Sequence, residues 1–459
     1  MPISSALSIL LISFFASITF NGFFRNIAKK NNVLVDIPDK SRKFHFRATP
    51  LTGGISIFIA SLITVLLLNG LTSIPLETNF SEKGFLKDVP FLDQGISEKY
   101  QVNDQSYNLS IKKNTNSDSI SVDVESKNKP LSSLEIIQTK DGNFEVLLPD
   151  GSKEIYKFQD GQVNKISSQQ SEILTPVKED LNGISVEIIG LSMYICAGFI
   201  VLFMTIDDLV GIKPSIRLLF QALIILLMIM MSDEYISNLG NLFGLGDIEL
   251  GRFSIPFTIF CVVGLMNAFN MSDGLNGICA SFALVPLIFL MLFGHIKFGL
   301  LIPIGALMGF LAYNLGYFGK KRGVFLGDSG SNYIGFVVAM LCVNYSQTEL
   351  TINPVTALWF VALPLLDCIG VMTSRLLKGV MPFRPGRDHL HHKLLDLGLK
   401  PKYILYLFVA TSISLCALGC LFQIMYPNQE YISFYSFICF TVLYYMITKI
   451  QLGKNVKSI

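Results

Sequence analysis

CAGFIVLFMTIDDLVGIKPSIRLLFQALIILLMIMM, residues 196–231, decides how this chain folds. Two apolar runs, each of roughly the length a helix needs to cross hydrocarbon, flank a short polar turn. That turn opens with adjacent aspartates, Asp207 and Asp208, and closes at Arg217. An ionisable group at the bilayer centre costs about 2.5–3.5 kcal/mol even on a lenient insertion scale, so a carboxylate pair at the end of a span signals function. The same arrangement recurs three times: Asn267 to Gly277 (NAFNMSDGLNG), Gly327 to Gly330 (GDSG) and Arg387 to Lys393 (RDHLHHK).

Working outward, apolar runs lie near 4–24, 52–71, 186–206, 215–232, 254–271, 277–294, 298–316, 330–346, 354–376, 403–425 and 431–449. With 51% hydrophobic residues over 459 positions the chain is too apolar for an ordinary soluble protein. The reading is an all-α polytopic membrane protein of about 11 transmembrane helices with a small, mainly-β extracytoplasmic insert. The first run lacks a basic leader and a small-residue cleavage site, and reads as a retained helix. All eight cysteines fall inside apolar runs without a zinc-ligand spacing, which suits small buried hydrophobes.

Orientation follows from the charges. With the N-terminus outside, the cytoplasmic segments hold 22 of the 36 Lys and Arg. Twelve more lie in one long outer segment, which counts weakly, leaving only Arg252 and Lys297 in short outer loops. The C-terminus and all four polar clusters then face the cytoplasm. The domains read as 1–71 (two spans and the first cytoplasmic loop), 72–185 (the insert) and 186–459 (nine spans with the remaining loops). The insert carries 18 acidic against 12 basic residues. From Leu134 short alternating runs are separated by Asp141-Gly142, Asp150-Gly151 and Asp160-Gly161, a hairpin signal that predicts a β-meander. Residues 101–133 read as a looser continuation. No catalytic constellation stands out in the insert, which suits a spacer or docking module.

Each cluster suits a chemistry and has a plainer competitor. Asp207 and Asp208 repel each other unless a cation or a proton relieves them; an acidic helix cap is the alternative. Asn267, Asn270, Asp273 and Asn276, three apart, draw a polar stripe on a helix, with Gly274 and Gly277 making room for a ligand or a close-packed neighbour. Phe325-Leu-Gly-Asp328-Ser-Gly-Ser enters a helix, where amides favour phosphate and Asp328 offers a hard oxygen for Mg²⁺. In the loop around Arg387, His389, His391 and His392, the histidine spacing suits zinc poorly and a diphosphate clamp better. Lys43 and His45 add basic groups on the same face. Together these groups suit phosphoryl transfer between two anions at a membrane surface. A transporter, the other class, would place carboxylates mid-span, as Asp367 alone is placed.

In their order along the chain, KFHFRATPLTGG (43–54), DDLVGIKPSIRLLFQ (207–221), NAFNMSDGLNG (267–277), FLGDSGS (325–331) and GRDHLHHK (386–393) resemble the polyprenyl-phosphate N-acetylhexosamine-1-phosphate transferases of glycosyltransferase group 4, in their WecA-like branch. The resemblance covers everything but the insert. It implies a bacterial inner-membrane enzyme in which a polyprenyl phosphate attacks the β-phosphorus of a UDP-N-acetyl sugar and releases UMP, with Mg²⁺ required and Mn²⁺ the alternative. It implies that Asp207 and Asp208 deprotonate or orient the lipid phosphate, that Arg217 contacts it, and that Asn270 and Asp328 bind the metal. Asp273 and Phe325 match the nucleotide pocket; Arg387, His389, His391 and His392 match a clamp for diphosphate and amino sugar. Lys43, His45, Asn267 and Asn276 complete the substrate-binding set. Asn276 stands where many bacterial members carry a second Asp, which argues against a base there. UDP-GlcNAc is the default donor and a UDP-6-deoxy-HexNAc the runner-up, in building a lipid-linked cell-envelope glycan. No nucleic-acid partner is expected; a homodimer and an outer partner for the insert are left open.

Overall fold

The structure is a computed structural model that describes residues 3–36, 48–72, 188–293, 298–381 and 386–448, together with seven strands between 96 and 165. It divides into two compact units, Met1–Leu71 with Ser185–Ile459, and Thr72–Ile184. Lys43 and His45 lie outside the described residues.

The first unit is helical. A helix stands at each of the eleven expected positions: α1 (Ile3–Asn31), α2 (Gly53–Thr72), α3 (Ile188–Val210), α4 (Pro214–Ser232), α5 (Ser254–Ser272), α6 (Ile278–Phe293), α7 (Phe298–Asn314), α8 (Gly327–Gln347), the pair α9 (Pro354–Phe360) and α10 (Ala362–Leu377), α12 (Pro401–Met425) and α13 (Glu430–Met446). The short α11 (Leu390–Asp396) lies in the loop before α12, and strands β1 (Val35–Asp36) and β2 (Thr49–Pro50) pair in antiparallel fashion. By length and apolarity alone, five of these helices qualify to cross a membrane, or six when α9 and α10 count as one broken span. That suffices for a multi-pass membrane protein.

Local chemistry sets the breaks. Between α3 and α4, Gly211 takes φ +71°, and its amide closes the helix on the Asp207 carbonyl at 2.8 Å. Pro214, whose missing N–H costs nothing in a first turn, then starts α4. The span expected at 354–376 is not one helix: α9 and α10 meet at Val361 with a 77° bend. Pro364 explains this, since it cannot donate to the Phe360 carbonyl and its ring would collide with it.

Helix α8 is the axis of the unit. From Ser329 to Ser346 every residue is buried, polar ones included, as befits a helix enclosed on all sides. It packs against α3, α5, α6 and α9, and Phe269 and Phe336 are among the largest fully buried side chains of the core. Where α2 meets α8 the backbones touch: a Cβ on Gly54 would lie 2.3 Å from the Gly330 amide nitrogen. Gly53 and Gly54 donate their N–H groups to the carbonyls of Phe325 and Leu326 at 3.0 and 3.1 Å.

The second unit contains a seven-stranded antiparallel meander in sequence order: β3 (Ile96–Val102), β4 (Gln105–Lys113), β5 (Ser119–Ser126), β6 (Lys129–Gln138), β7 (Asn143–Leu147), β8 (Lys153–Gln159) and β9 (Gln162–Lys165). Strands β3 to β5 occupy the part read as a looser continuation. There Leu109 pairs with Val124 and Ile111 with Val122. Alternation at every second residue, not overall polarity, is the strand signal, and intervening Ser and Asn residues hid it.

Candidate active site

The site grows from the N-terminus of α8. Gly327 adopts φ +76°, so the chain turns sharply into the helix and brings Asp328 to its first turn. The Asp328 and Ser329 amides donate to Asp208 Oδ1 and Oδ2 at 3.0 and 3.2 Å. Asp208, at the end of α3, thus caps a helix more than a hundred residues away and sits at its positive pole. Asp207 is buried and accepts from the Ile212 amide at 2.5 Å and from the Arg217 guanidinium at 2.8 Å. The same Arg217 nitrogen donates to Asp328 Oδ2 at 2.9 Å. The other Asp328 oxygen accepts from Asn270 Nδ2 at 3.0 Å. Asp207, Arg217, Asp328 and Asn270 are therefore one chain of charge-assisted bonds joining α3, α4, α5 and α8.

Beneath it lies a buried amide ladder that the sequence reading did not single out. Asn267 donates to Gln221 Oε1 at 2.9 Å, Gln221 to Asn332 Oδ1 at 2.6 Å, and Asn332 to the Asp328 carbonyl at 2.8 Å. Asn267 thus buttresses the helix that carries Asp328. Besides the Val263 carbonyl of its own helix at 2.8 Å, its partner Gln221 comes from α4, so no local spacing reveals the ladder. Asn276 turns aside to donate to the Asn314 carbonyl at 2.9 Å.

Asp273 ends α5. Its side chain keeps contact with solvent, yet crowding by protein and then the charges of Asp328 and Asp208 push its carboxyl up to about 7. Next to it, Gly274 presses on the histidine loop: a Cβ there would lie 2.0 Å from His391 Nε2. His391 is buried and its Nε2 makes no hydrogen bond. Burial and the neighbouring His392 push its pKa down to about 3, so the ring is neutral. The His392 ring lies 4.2 Å away and the His389 ring, nearly parallel, 5.8 Å away. The His392 pKa is also lowered, by burial and then by Arg387. Arg387 pairs with Asp396 at 2.9 Å. Phe325, half-buried, donates its amide to the Pro50 carbonyl at 2.8 Å, beside the start of α2.

Asp367, the carboxylate expected within a span, lies inside α10 and is paired there: it accepts from His389 Nδ1 at 2.7 Å and from the Leu390 amide at 2.9 Å. The predicted residues meet in two groups, Asp207–Arg217–Asp328–Asn270 with Asp208, and the histidine loop, joined through Asp273 and Gly274.

Among the described residues, no three His, Cys, Asp or Glu side chains close on one point as a ready-made metal cage. The donor chemistry nevertheless fits a hard cation. Among the described residues, the ion pairs made by Asp207 and Asp328 run to Arg217 alone, so one cation serves two carboxylates, and the charges of Asp328 and Asp208 also act on Asp273. Mg²⁺ characteristically takes one or two carboxylates and draws its other ligands from water and substrate phosphates.

Comparison with known proteins agrees with this layout. Residues 190–346, from α3 through α8, match Glycosyl transferase family 4. The undecaprenyl-phosphate alpha-N-acetylglucosaminyl 1-phosphate transferase of Escherichia coli K12 is 34% identical over 262 residues, 55% of this chain and 71% of that protein. The proteins of the same name from Yersinia pestis and Haemophilus influenzae are each 34% identical, over 54% and 56% of this chain and 70% and 75% of theirs. The chain belongs to glycosyl transferase family 4.

Proposed function

We propose that this enzyme transfers N-acetylhexosamine-1-phosphate, by default from UDP-GlcNAc, to undecaprenyl phosphate at the cytoplasmic face of a bacterial inner membrane. It releases UMP and starts a lipid-linked cell-envelope glycan. The observation that carries the reading is the bridge from Arg217 to both Asp207 and Asp328 at the start of α8, in a chain whose relatives bear that activity in their names. A lipid-phosphate oxygen forms a bond to the β-phosphorus, the bond from that phosphorus to the bridging oxygen breaks, and UMP leaves with the electron pair.

Two anions must meet for this to happen, and the side chains act accordingly. Arg217 would share its guanidinium with the lipid phosphate. A phosphate monoester has its second pKa near ~6, so at neutral pH little proton remains to be removed. Asp207 and Asp208 therefore orient: Asp207 aims Arg217, and Asp208 fixes α8 and with it Asp328. Asp328 and Asn270 would hold Mg²⁺, or Mn²⁺ in its place, once the Asn270 amide turns its oxygen inward. Bound there, such a cation would supply charge neutralisation on the diphosphate. Asp273 and Phe325 would bound the nucleotide, Arg387 and the three histidines the diphosphate and sugar, and Lys43, His45, Asn267 and Asn276 the pocket's rim and support. Eleven spans, an outer N-terminus and a cytoplasmic C-terminus fit this reading, as does an insert that meets partners outside.

The test supplies purified enzyme with undecaprenyl phosphate, Mg²⁺ and a panel of UDP-sugars that includes a 6-deoxy-HexNAc. Lipid-dependent UMP with an N-acetylhexosamine donor is expected. UDP in place of UMP, or no lipid dependence with any donor, rejects the proposal.

A further inference from the structure

Asp367 stands one turn beyond the break between α9 and α10 and is the anchor of the histidine loop. Its two oxygens take three donors from two other parts of the chain: His389 Nδ1 at 2.7 Å, the Leu390 amide at 2.9 Å and the Tyr444 hydroxyl at 3.4 Å. The carboxylate is only 14% exposed and the His389 ring 7%. Behind the loop, Asp367 and His391 line a cavity of about 10 Å³ with Ser272 and Phe408, room for about one water molecule and for no substrate group. Asp367 therefore reaches the pocket only through what it holds.

What it holds is specific. An ionised carboxylate can only accept, so His389 carries its proton on Nδ1 and turns Nε2 the other way. The Leu390 bond fixes the start of α11 in the same stroke, and with it the pitch of His391 against Gly274. A carboxylate behind a histidine commonly fixes the tautomer and orientation of a ring that does its work with the other nitrogen. We propose that Asp367 is a positioning residue that sets the histidine loop for the nucleotide-sugar diphosphate, acting through His389 and the Leu390 amide. The inference rests on the transferase reading above.

The test compares wild type, Asp367→Asn, His389→Ala and the double variant in UMP release, with donor and lipid titrated separately. An Asn offers one acceptor and one donor where two acceptors are needed, so either His389 or Leu390 loses its partner. The KM for the UDP-sugar should rise about tenfold or more, while the KM for undecaprenyl phosphate stays within about twofold. The two single losses should be less than additive in the double variant, because the two residues share the His389–Asp367 bond. Asp367→Glu, which keeps two acceptors, should recover part of the donor affinity. An unchanged donor KM, an equal loss on both substrates, or full additivity overturns the proposal. Should Asp367→Asn fail to insert, His389→Asn must still raise the donor KM, and a wild-type value there overturns it equally. A wild type without UMP release fails the transferase reading itself, whereas an active wild type with an unaffected Asp367→Asn fails this inference alone.

Discussion

Arg217 is the residue on which the carboxylate cluster turns, since one of its nitrogens serves both Asp207 and Asp328. Lysine would keep the charge but replace a planar guanidinium, whose N–H directions are fixed, by a freely rotating, more strongly hydrated ammonium on a shorter reach. Arg217→Lys should lower kcat/KM at least tenfold, a loss of about 1.4 kcal/mol in transition-state stabilisation; near-wild-type kinetics would remove Arg217 from the site. Gly274→Ala tests the other group. Its methyl would enter the space of His391 Nε2, so donor affinity should fall while the thermal midpoint in detergent moves little. Asp273 predicts a pH effect. Its carboxyl is raised to about 7 in the folded protein from an ordinary value near ~4. The folded state thus binds the proton more tightly, and the stability gained is full below ~4 and lost as pH rises through 7. Wild type should lose more of its thermal midpoint between pH 5.5 and 8 than Asp273→Asn does; equal slopes would contradict the placement. At this scale the sequence spoke clearly of residue types. It spoke less of their partners: Gln221 and Asn332, which carry the amide ladder, were invisible because the bonds that tie Asn267 to Gln221 and Gln221 to Asn332 span 46 and 111 positions.

At the scale of elements, the junction of α3 with α8 decides whether Asp328 is in place. Asp208 caps α8 from outside it, and losing a cap costs about 0.5–2 kcal/mol. Asp208→Ala should therefore lower both stability and turnover. Asp208→Asn, which retains one acceptor, should keep more of the stability than of the activity if the charge also orients substrate. Equal stability for wild type and Asp208→Ala would show the capping bonds to be incidental. The helices themselves were legible from apolar length, because burial in lipid leaves a helix few other sequences to use. The break at Val361 was not, although Pro364 announced it; an apolar run long enough to span reads as continuous until the missing N–H is counted. The strands β3 to β5 were overlooked for the opposite reason, their polar residues masking a period of two.

For the whole molecule, the acidic insert and the helical unit are separate compact units, and the groups that meet near α8 all belong to the helical one. Replacing residues 75–183 by a short linker should leave transfer in vitro largely intact, and complete loss with normal insertion would make the insert part of the catalytic unit. The account stands or falls on which bond the enzyme breaks. Enzyme, undecaprenyl phosphate and UDP-GlcNAc labelled with ³²P at either the α or the β phosphorus answer this in one partition between organic and aqueous phases. The β label should pass into the lipid with the sugar while the α label stays in water as UMP, and Asp328→Asn should abolish the passage. Sugar reaching the lipid while both labels stay in the aqueous phase would contradict the account.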